Sequence, residues 1–286
     1  MVVDDKTGKF VSQRNVPRLA LVETMLPREL LTGQWGAAPP DAALHLTVPD
    51  QASLEIPLDA NLLNASEPRD CTCWDWKGIA LDQGDEAAEW LTSFLGRSVR
   101  LVQYAGTPDE SSPSEDPQRR LVPQVNSPFA AGTELAFADF FPILLTSEGG
   151  LAALNAQLDE PVPMNRFRPN VVVDDPAPFP EDTWEAFSIA GSDGRPALRF
   201  GSAWPCARCK VTTTNQTTAE VGKEPLKKLY QVRSEKALKW TREKEWRGGA
   251  FFGWLCVPLN NGIIAVGDKL DSITHRSLAA MTAFGT

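Results

Sequence analysis

Phe140-Phe-Pro-Ile-Leu-Leu145, followed by Thr146-Ser-Glu-Gly-Gly150, reads as a buried strand running directly into a helix. The apolar run has the length of a strand. Thr146 and Ser147 are residue types that cap helices, and Leu151, Leu154 and Leu158 recur at i, i+3 and i+7 on one helical face. Beyond it, Val171-Val-Val173, Ala197-Leu-Arg-Phe200, Lys210-Val-Thr-Thr-Thr214, Ala250-Phe-Phe-Gly-Trp-Leu-Cys-Val-Pro-Leu259 and Gly262-Ile-Ile-Ala-Val266 all predict strands. Before it, Val2-Val3 and Lys9-Phe-Val11 flank a turn containing Gly8 and predict a hairpin. Leu19-Ala-Leu-Val22, Leu44-His-Leu-Thr-Val48 and Ser53-Leu-Glu-Ile-Pro-Leu58 alternate as half-buried strands do, and Ser98–Tyr104 adds another. One clear helix spans Asp85–Leu95, with Asp85 as its N-cap and Gly96 as its C-cap. Many short strands with two or three helices predict an α+β protein that is mainly β.

The chain has 286 residues, 42% hydrophobic and 23% charged, which is ordinary for a globular protein and excludes coiled coil, collagen and general disorder. A net charge of −9 repels phosphate backbones and argues against nucleic acid as the main partner. No apolar run approaches the roughly 18–20 residues of a membrane span. Five cysteines, with no secretory signal at the N-terminus, suggest reduced thiols in a cytosol-like compartment. Residues 106–118 are acidic and rich in Pro and Ser, the composition of a linker or long loop. Together these divide the chain into 1–105, a linker 106–132, a second domain 133–273 and a tail 274–286. The first strand starts almost at residue 1, so an upstream segment is expected.

Pro205-Cys-Ala-Arg-Cys-Lys210 is the strongest local feature. A zinc site needs a second ligand pair, which Cys71, Cys73 and Cys256 do not supply as Cys-x-x-Cys. A thioredoxin-type dithiol should open a helix, whereas a strand pattern follows here. A thiolate ligand to a soft metal, favoured by Arg208 and Lys210, stands beside two buried thiols that merely pack. Thr146 and Ser147 are either simple caps or part of an anion site at the helix start. Arg166 and Arg168, two apart in a strand ended by Pro169, would share one face, either a solvated basic edge or a pair suited to a phosphate or carboxylate. Residues 223–247 hold nine Lys or Arg against four Glu, either a solvated face or a docking surface for an acidic partner. Cys71 and Cys73 are expected to pack, as is His45 on its strand.

Taken in order, Phe137–Ser147, Arg166-Phe-Arg-Pro-Asn-Val-Val-Val173, Asp182-Thr-Trp-Glu185, Cys206-Ala-Arg-Cys209 with Thr212-Thr213, Lys223-Glu-Pro-Leu226 and Val266-Gly-Asp268 resemble MOSC-domain proteins. Within that family the likeness is to the mitochondrial amidoxime-reducing components. Phe10–Leu19 is similar to their N-terminal β-barrel domain. The resemblance implies a MOSC β-barrel domain preceded by a smaller MOSC N-terminal β-barrel-like domain. It implies a molybdenum-pterin cofactor with Cys209 as metal ligand and catalytic residue. Thr146, Ser147, Arg166 and Arg168 match positions that hold the cofactor, and Ala207 and Arg208 match the loop presenting the cysteine. Members usually carry a Lys-Ser segment and an Arg upstream of the strand that Met1–Asp4 resembles, and here the chain begins after them.

The implied activity is reduction of N-hydroxylated compounds such as amidoximes and hydroxylamines. Electrons would come from a cytochrome b5-type haem protein served by an NADH-dependent flavoprotein reductase. The alternatives are a sulfur-carrier module of the sulfurase type, whose relatives carry an upstream pyridoxal phosphate domain, and a non-catalytic cofactor-binding protein. The chain alone suggests a cytoplasmic location, and an upstream anchor would place it at the mitochondrial outer membrane.

Overall fold

The computed structural model describes residues 1–31, 39, 41–58, 67–106, 118–240 and 243–276. The protein is mainly β with few helices, organised as two curled half-barrel sheets, and it divides into two compact units.

The first unit comprises residues 1–121, 134–137 and 216–220. Its strands are β1 (Val2–Asp4), β2 (Glu23–Met25), β3 (Ala43–Val48), β4 (Gln51–Pro57), β5 (Pro68–Cys73), β6 (Trp76–Asp82), β7 (Val99–Tyr104), β8 (Arg120–Leu121) and β9 (Glu134–Leu135). They form an antiparallel sheet in the order β1-β7-β6-β5, a second sheet β2-β3-β4 and the short pair β8-β9. Helix α1 (Gly84–Leu95) buries Ala87, Ala88, Leu91, Phe94 and Leu95. Ala87 packs with Leu46, Leu54 and Ile56, and Leu91 and Phe94 pack with Val11 and Val99. Gly96 ends the helix in the left-handed conformation (φ 68°), as the sequence predicts. Asp85 is not the N-cap: Gln83 holds that position, and the Gly84 N–H is taken by the Asp82 carboxylate at 3.0 Å. The strand predicted at Leu19–Val22 is a 3-10 turn, Pro17–Leu21. Pro17 suits the first position of such a turn, and Leu19 and Leu21 still reach the Leu91 and Phe94 cluster. Cys71 and Cys73 are packed, in one cluster with Val3, Trp76 and Val102.

The second unit comprises residues 122–133, 138–215 and 221–286. Its strands are β10 (Ile143–Ser147), β11 (Val171–Val173), β12 (Trp184–Ala190), β13 (Leu198–Ala207), β14 (Phe251–Pro258) and β15 (Lys269–His275), in the order β11-β10-β14-β13-β12-β15. Among the described residues of this sheet only the β10-β11 pair is parallel, and helix α2 (Glu148–Asn155) lies in the connection between them. Helices α3 (Leu226–Val232) and α4 (Glu235–Leu238) precede β14. The core beneath the site joins Leu151, Leu154, Phe167, Leu229, Ala250 and Phe252, with Phe167 and Phe252 stacked at 3.8 Å. Gly253 lets β14 approach β10, because a Cβ there would fall 2.4 Å from the Leu145 carbonyl oxygen, and its φ is +78°.

Away from the site, expectations on strand, tail and linker bounds change. Gly262–Val266 is not a strand, and the edge strand begins at Lys269. Its backbone is claimed by side chains instead: Arg195 donates to the Ile263 carbonyl and the Ala265 N–H donates to Asp268. The tail set at 274–286 starts too early, since β15 runs to His275, and residues 277–286 lie outside the described residues. Of the linker, 107–117 lie outside the described residues, and 120–121 pair with 134–135.

Candidate functional site

The chain leaves β13 through Cys206 and Ala207, and at Cys209 it turns. Cys206 is buried, and burial pushes its thiol pKa up. Cys209 is the one cysteine of the five that reaches solvent, half-buried as the N-cap residue of a 3-10 turn over Lys210–Thr213. A strand was predicted there from the β-branched run. The hydroxyls decide otherwise: Thr212 donates from both its N–H and its Oγ1 to the Cys209 carbonyl (3.1 and 3.0 Å), and Thr213 Oγ1 donates to the Lys210 carbonyl at 2.7 Å. Such side-chain to backbone bonds offer an alternative to a sheet ladder.

Arg166 and Arg168 are not on an extended strand. Residues Met164–Arg166 form a 3-10 turn, and the N–H groups of Arg166, Phe167 and Arg168 donate to the carbonyls of Pro163, Met164 and Asn165. Pro169 excludes the right-handed helical region for the residue before it, and Arg168 takes the left-handed one, at φ 56°. A non-glycine residue held there stores about 1–2 kcal/mol. Asn170 fixes the end of the turn, donating its N–H to the Leu144 carbonyl (2.9 Å) and accepting the Leu144 N–H on its side chain (2.8 Å).

Arg208 ties the two segments together. It donates from Nη1 to Cys206 Sγ (2.9 Å) and from Nη2 to the Phe167 carbonyl (2.7 Å), and its guanidinium lies over the Phe167 ring. The Met164–Arg166 turn packs against the Lys210–Thr213 turn. Burial pushes the Arg166 guanidinium below its ordinary pKa. Burial, followed by the charge of Arg208, does the same to Arg168. Two buried donors here, Arg166 Nη1 and Arg208 Nε, have no hydrogen-bond partner among the described residues. Unsatisfied buried donors are costly, and the Arg168 and Arg208 guanidiniums, close enough for the charge of one to act on the other, would be relieved by an anion.

Thr146 and Ser147 are placed beside this site but face inward, and both are fully buried. Thr146 Oγ1 donates to Met164 Sδ, and Ser147 donates to Glu181 at 2.6 Å while capping α2 through the Gly150 N–H. The Gly149 N–H goes to the Asp175 carbonyl. The helix start therefore has both hydroxyls and these two amides committed within the chain; Ser147 is the cap, whereas Thr146 caps nothing and bonds Met164. Ala207 ends β13 opposite Phe251. Glu181 is a residue that sequence reasoning missed. It is fully buried with Oε1 unpartnered among the described residues, and burial raises its carboxyl pKa to about 7. Nothing in the pattern Pro180-Glu-Asp-Thr marks its burial.

Among the described residues, no group of three or more His, Cys, Asp and Glu stands ready to hold a metal. A metal at Cys209 would take one sulfur from the protein and its other ligands from a bound group. Of the basic run 223–247, Lys223, Lys227, Lys236, Lys239, Lys244 and Arg247 are exposed. Arg233 is not part of that surface: it is buried in a two-bond pair with Asp182 (2.8 and 3.0 Å).

Comparison with known proteins matches residues 1–98 to the MOSC N-terminal beta barrel domain and residues 132–271 to the MOSC domain. The chain belongs to the MOSC-domain family. This MOSC protein is 30% identical to the mitochondrial amidoxime-reducing component 1 of Danio rerio over 96% of the chain and 74% of the relative. It is 29% identical to the mitochondrial amidoxime reducing component 2 of Bos taurus over 94% of the chain and 71% of the relative. It is 28% identical to component 1 of Homo sapiens over 94% and 71%. No helix among the described residues is long and apolar enough to cross a membrane.

Proposed function

We propose that this MOSC protein is a molybdenum-cofactor-dependent oxidoreductase that reduces N-hydroxylated compounds such as amidoximes. The observation that carries the reading is the partly open Cys209 thiol on the turn beside Arg166 and Arg208, each with a buried donor lacking a partner. The names of the relatives support the substrate class. A pterin-bound molybdenum, when present, supplies the redox chemistry, as cofactors do generally.

The residues fit such a group. Cys209 offers one soft ligand, and a metal that brings its remaining ligands with its cofactor needs no further protein donors. Arg166, Arg168 and Arg208 neutralise the anionic tail and regain the stabilisation of their charges that burial removes. Thr146 and Ser147 act from inside, fixing the corner between β10 and α2 on which the arginine turn rests. Ala207, the last residue of β13, begins the segment that presents Cys209. The exposed lysines Lys223, Lys227, Lys236 and Lys239 form a docking face for an acidic cytochrome b5-type haem protein, itself reduced by an NADH-dependent flavoprotein.

The deciding experiment is Cys209→Ala, with molybdenum per chain measured by mass spectrometry and benzamidoxime reduction by chromatography. The expected result is loss of turnover and of bound metal with the fold intact by circular dichroism. Molybdenum-dependent turnover retained in that variant overturns the assignment. Persulfide on the wild-type Cys209 without molybdenum would instead support the sulfur-carrier reading.

A further inference from the structure

Helix α3 has two unlike faces. Leu229 is fully buried in the cluster with Phe167, Ala250 and Phe252, while Lys227 and Tyr230 are exposed. Lys227 lies three residues before Tyr230, so the two side chains are neighbours on the helix surface. Tyr230 is 48% exposed, and neither its ring nor its hydroxyl has a partner among the described residues. A tyrosine so placed offers an unoccupied flat apolar surface with a polar tip.

The surroundings of this ring are cationic. Lys223 just precedes the helix, and Lys236 and Lys239 lie on and at the end of α4, which packs against α3. None of Lys223, Lys227, Lys236 and Lys239 has an ion pair among the described residues. Two of the four glutamates of the segment are engaged elsewhere: Glu224 accepts the Lys228 N–H at 2.9 Å, and Glu243 accepts the Asn126 side chain at 3.1 Å. Helix α3 also packs against the Lys210–Thr213 turn that Cys209 caps. A molecule seated on the outer face of α3 therefore rests on an element in contact with the thiol's own turn.

An aromatic centre with unpaired cations around it has the layout of an interface in which one ring supplies the anchor and charges form the rim. The chain as a whole carries −9, so an extended anionic surface such as a bilayer would meet repulsion from the remainder of the molecule, whereas a compact acidic protein meets this face alone. We propose that Tyr230 is the anchor of the docking face for an acidic protein partner, its ring entering an apolar depression between carboxylates that Lys227 and the neighbouring lysines meet. This rests on the reading of the basic segment as the docking face for an acidic haem protein, and it adds the residue that holds the complex once formed. The two kinds of side chain have separable effects: exposed charges govern association and its salt dependence, and a desolvated ring governs dissociation.

The test is surface plasmon resonance of the full chain on the immobilised soluble haem domain of a cytochrome b5-type protein, at salt from about 50 to 500 mM. Wild type is compared with Tyr230→Ala, Tyr230→Phe and Lys227→Ala, all at exposed positions. Lys227→Ala should slow association and flatten the salt dependence. Tyr230→Ala should weaken binding about tenfold through faster dissociation, with the salt dependence kept, and Tyr230→Phe should bind within about twofold of wild type. Salt-dependent wild-type binding that Tyr230→Ala leaves unchanged overturns the anchor while the charged docking face stands. Absence of wild-type binding overturns both. Sedimentation with vesicles of phosphatidylcholine and phosphatidylserine tests the other occupant, and vesicle binding that is lost in Tyr230→Ala would also overturn the proposal.

Discussion

Arg208 reaches from the turn that carries Cys209 to the Phe167 carbonyl, 2.7 Å away, and so joins the thiol segment to the arginine turn through one guanidinium. The same group holds Cys206 Sγ at 2.9 Å. A lysine cannot span both acceptors, because its charge is a point rather than a fork. Arg208→Lys should therefore destabilise the protein by about 1–3 kcal/mol, read from urea denaturation. If the cofactor reading holds, it should also lower molybdenum content more than Lys210→Arg does. An unchanged unfolding midpoint would show that the bond to Phe167 contributes nothing.

Glu181 makes stability depend on pH with a sign opposite to that of most carboxylates. Its pKa rises from 4.5 to about 7 because burial disfavours the charged form, so the folded state binds the proton more tightly than the unfolded chain does. The stabilisation is complete below about pH 4.5 and is lost as pH rises through about 7. A shift of that size corresponds to an effect on the order of 3 kcal/mol. Glu181→Gln keeps an acceptor for the Ser147 hydroxyl and removes the titration. Its stability relative to wild type should rise between pH 5 and pH 8, measured by urea titration at each pH. Parallel pH profiles for the two proteins would contradict this origin.

The alternating strands at Leu44–Val48 and Ser53–Pro57 and the helix face of Leu91 and Leu95 are legible because burial alone sets them, whereas the alternating run Leu19–Val22 folds as a 3-10 turn behind Pro17. Three site features are not legible, and each has a local cause. The Thr212-Thr213 run looks like a strand until its hydroxyls bond back to the Cys209 and Lys210 carbonyls. Arg168 looks extended before Pro169, yet Asn170 is clamped to Leu144 and the turn closes in the left-handed region. The Thr146 and Ser147 hydroxyls look available to an anion, but their partners, Met164 and Glu181, lie 18 and 34 residues away. Side-chain identity at Cys209, Arg166 and Arg208 marked the region, and long-range packing determined which of their atoms remain open.

The basic surface carries a kinetic prediction. Electron delivery from an acidic haem protein should fall as salt rises from about 50 to 500 mM, as the Debye length shortens. Reversal of two exposed charges, Lys227→Glu with Lys236→Glu, should slow the reaction at low salt and flatten that dependence. Stopped-flow reduction with the cytochrome, compared with reduction by a small neutral donor, separates docking from chemistry. Equal losses with both donors would place the effect outside docking.

Arg233 makes the last prediction, because among the described residues of the 223–247 segment it is the buried basic one. It forms two bonds with Asp182 and stacks over Phe179 at 3.8 Å, while Asp182 also accepts the Trp254 indole N–H at 3.1 Å. Removing one member of such a pair strands the other charge in the interior, which costs about 3–5 kcal/mol. Asp182→Asn should therefore destabilise strongly, even though asparagine keeps one acceptor for Trp254. Replacing both residues, Asp182→Asn with Arg233→Met, leaves no stranded charge and should recover part of the loss. The double-mutant cycle is read by urea denaturation. Additive losses would show that the two residues act independently and that the charge pair is not what secures the segment to β14.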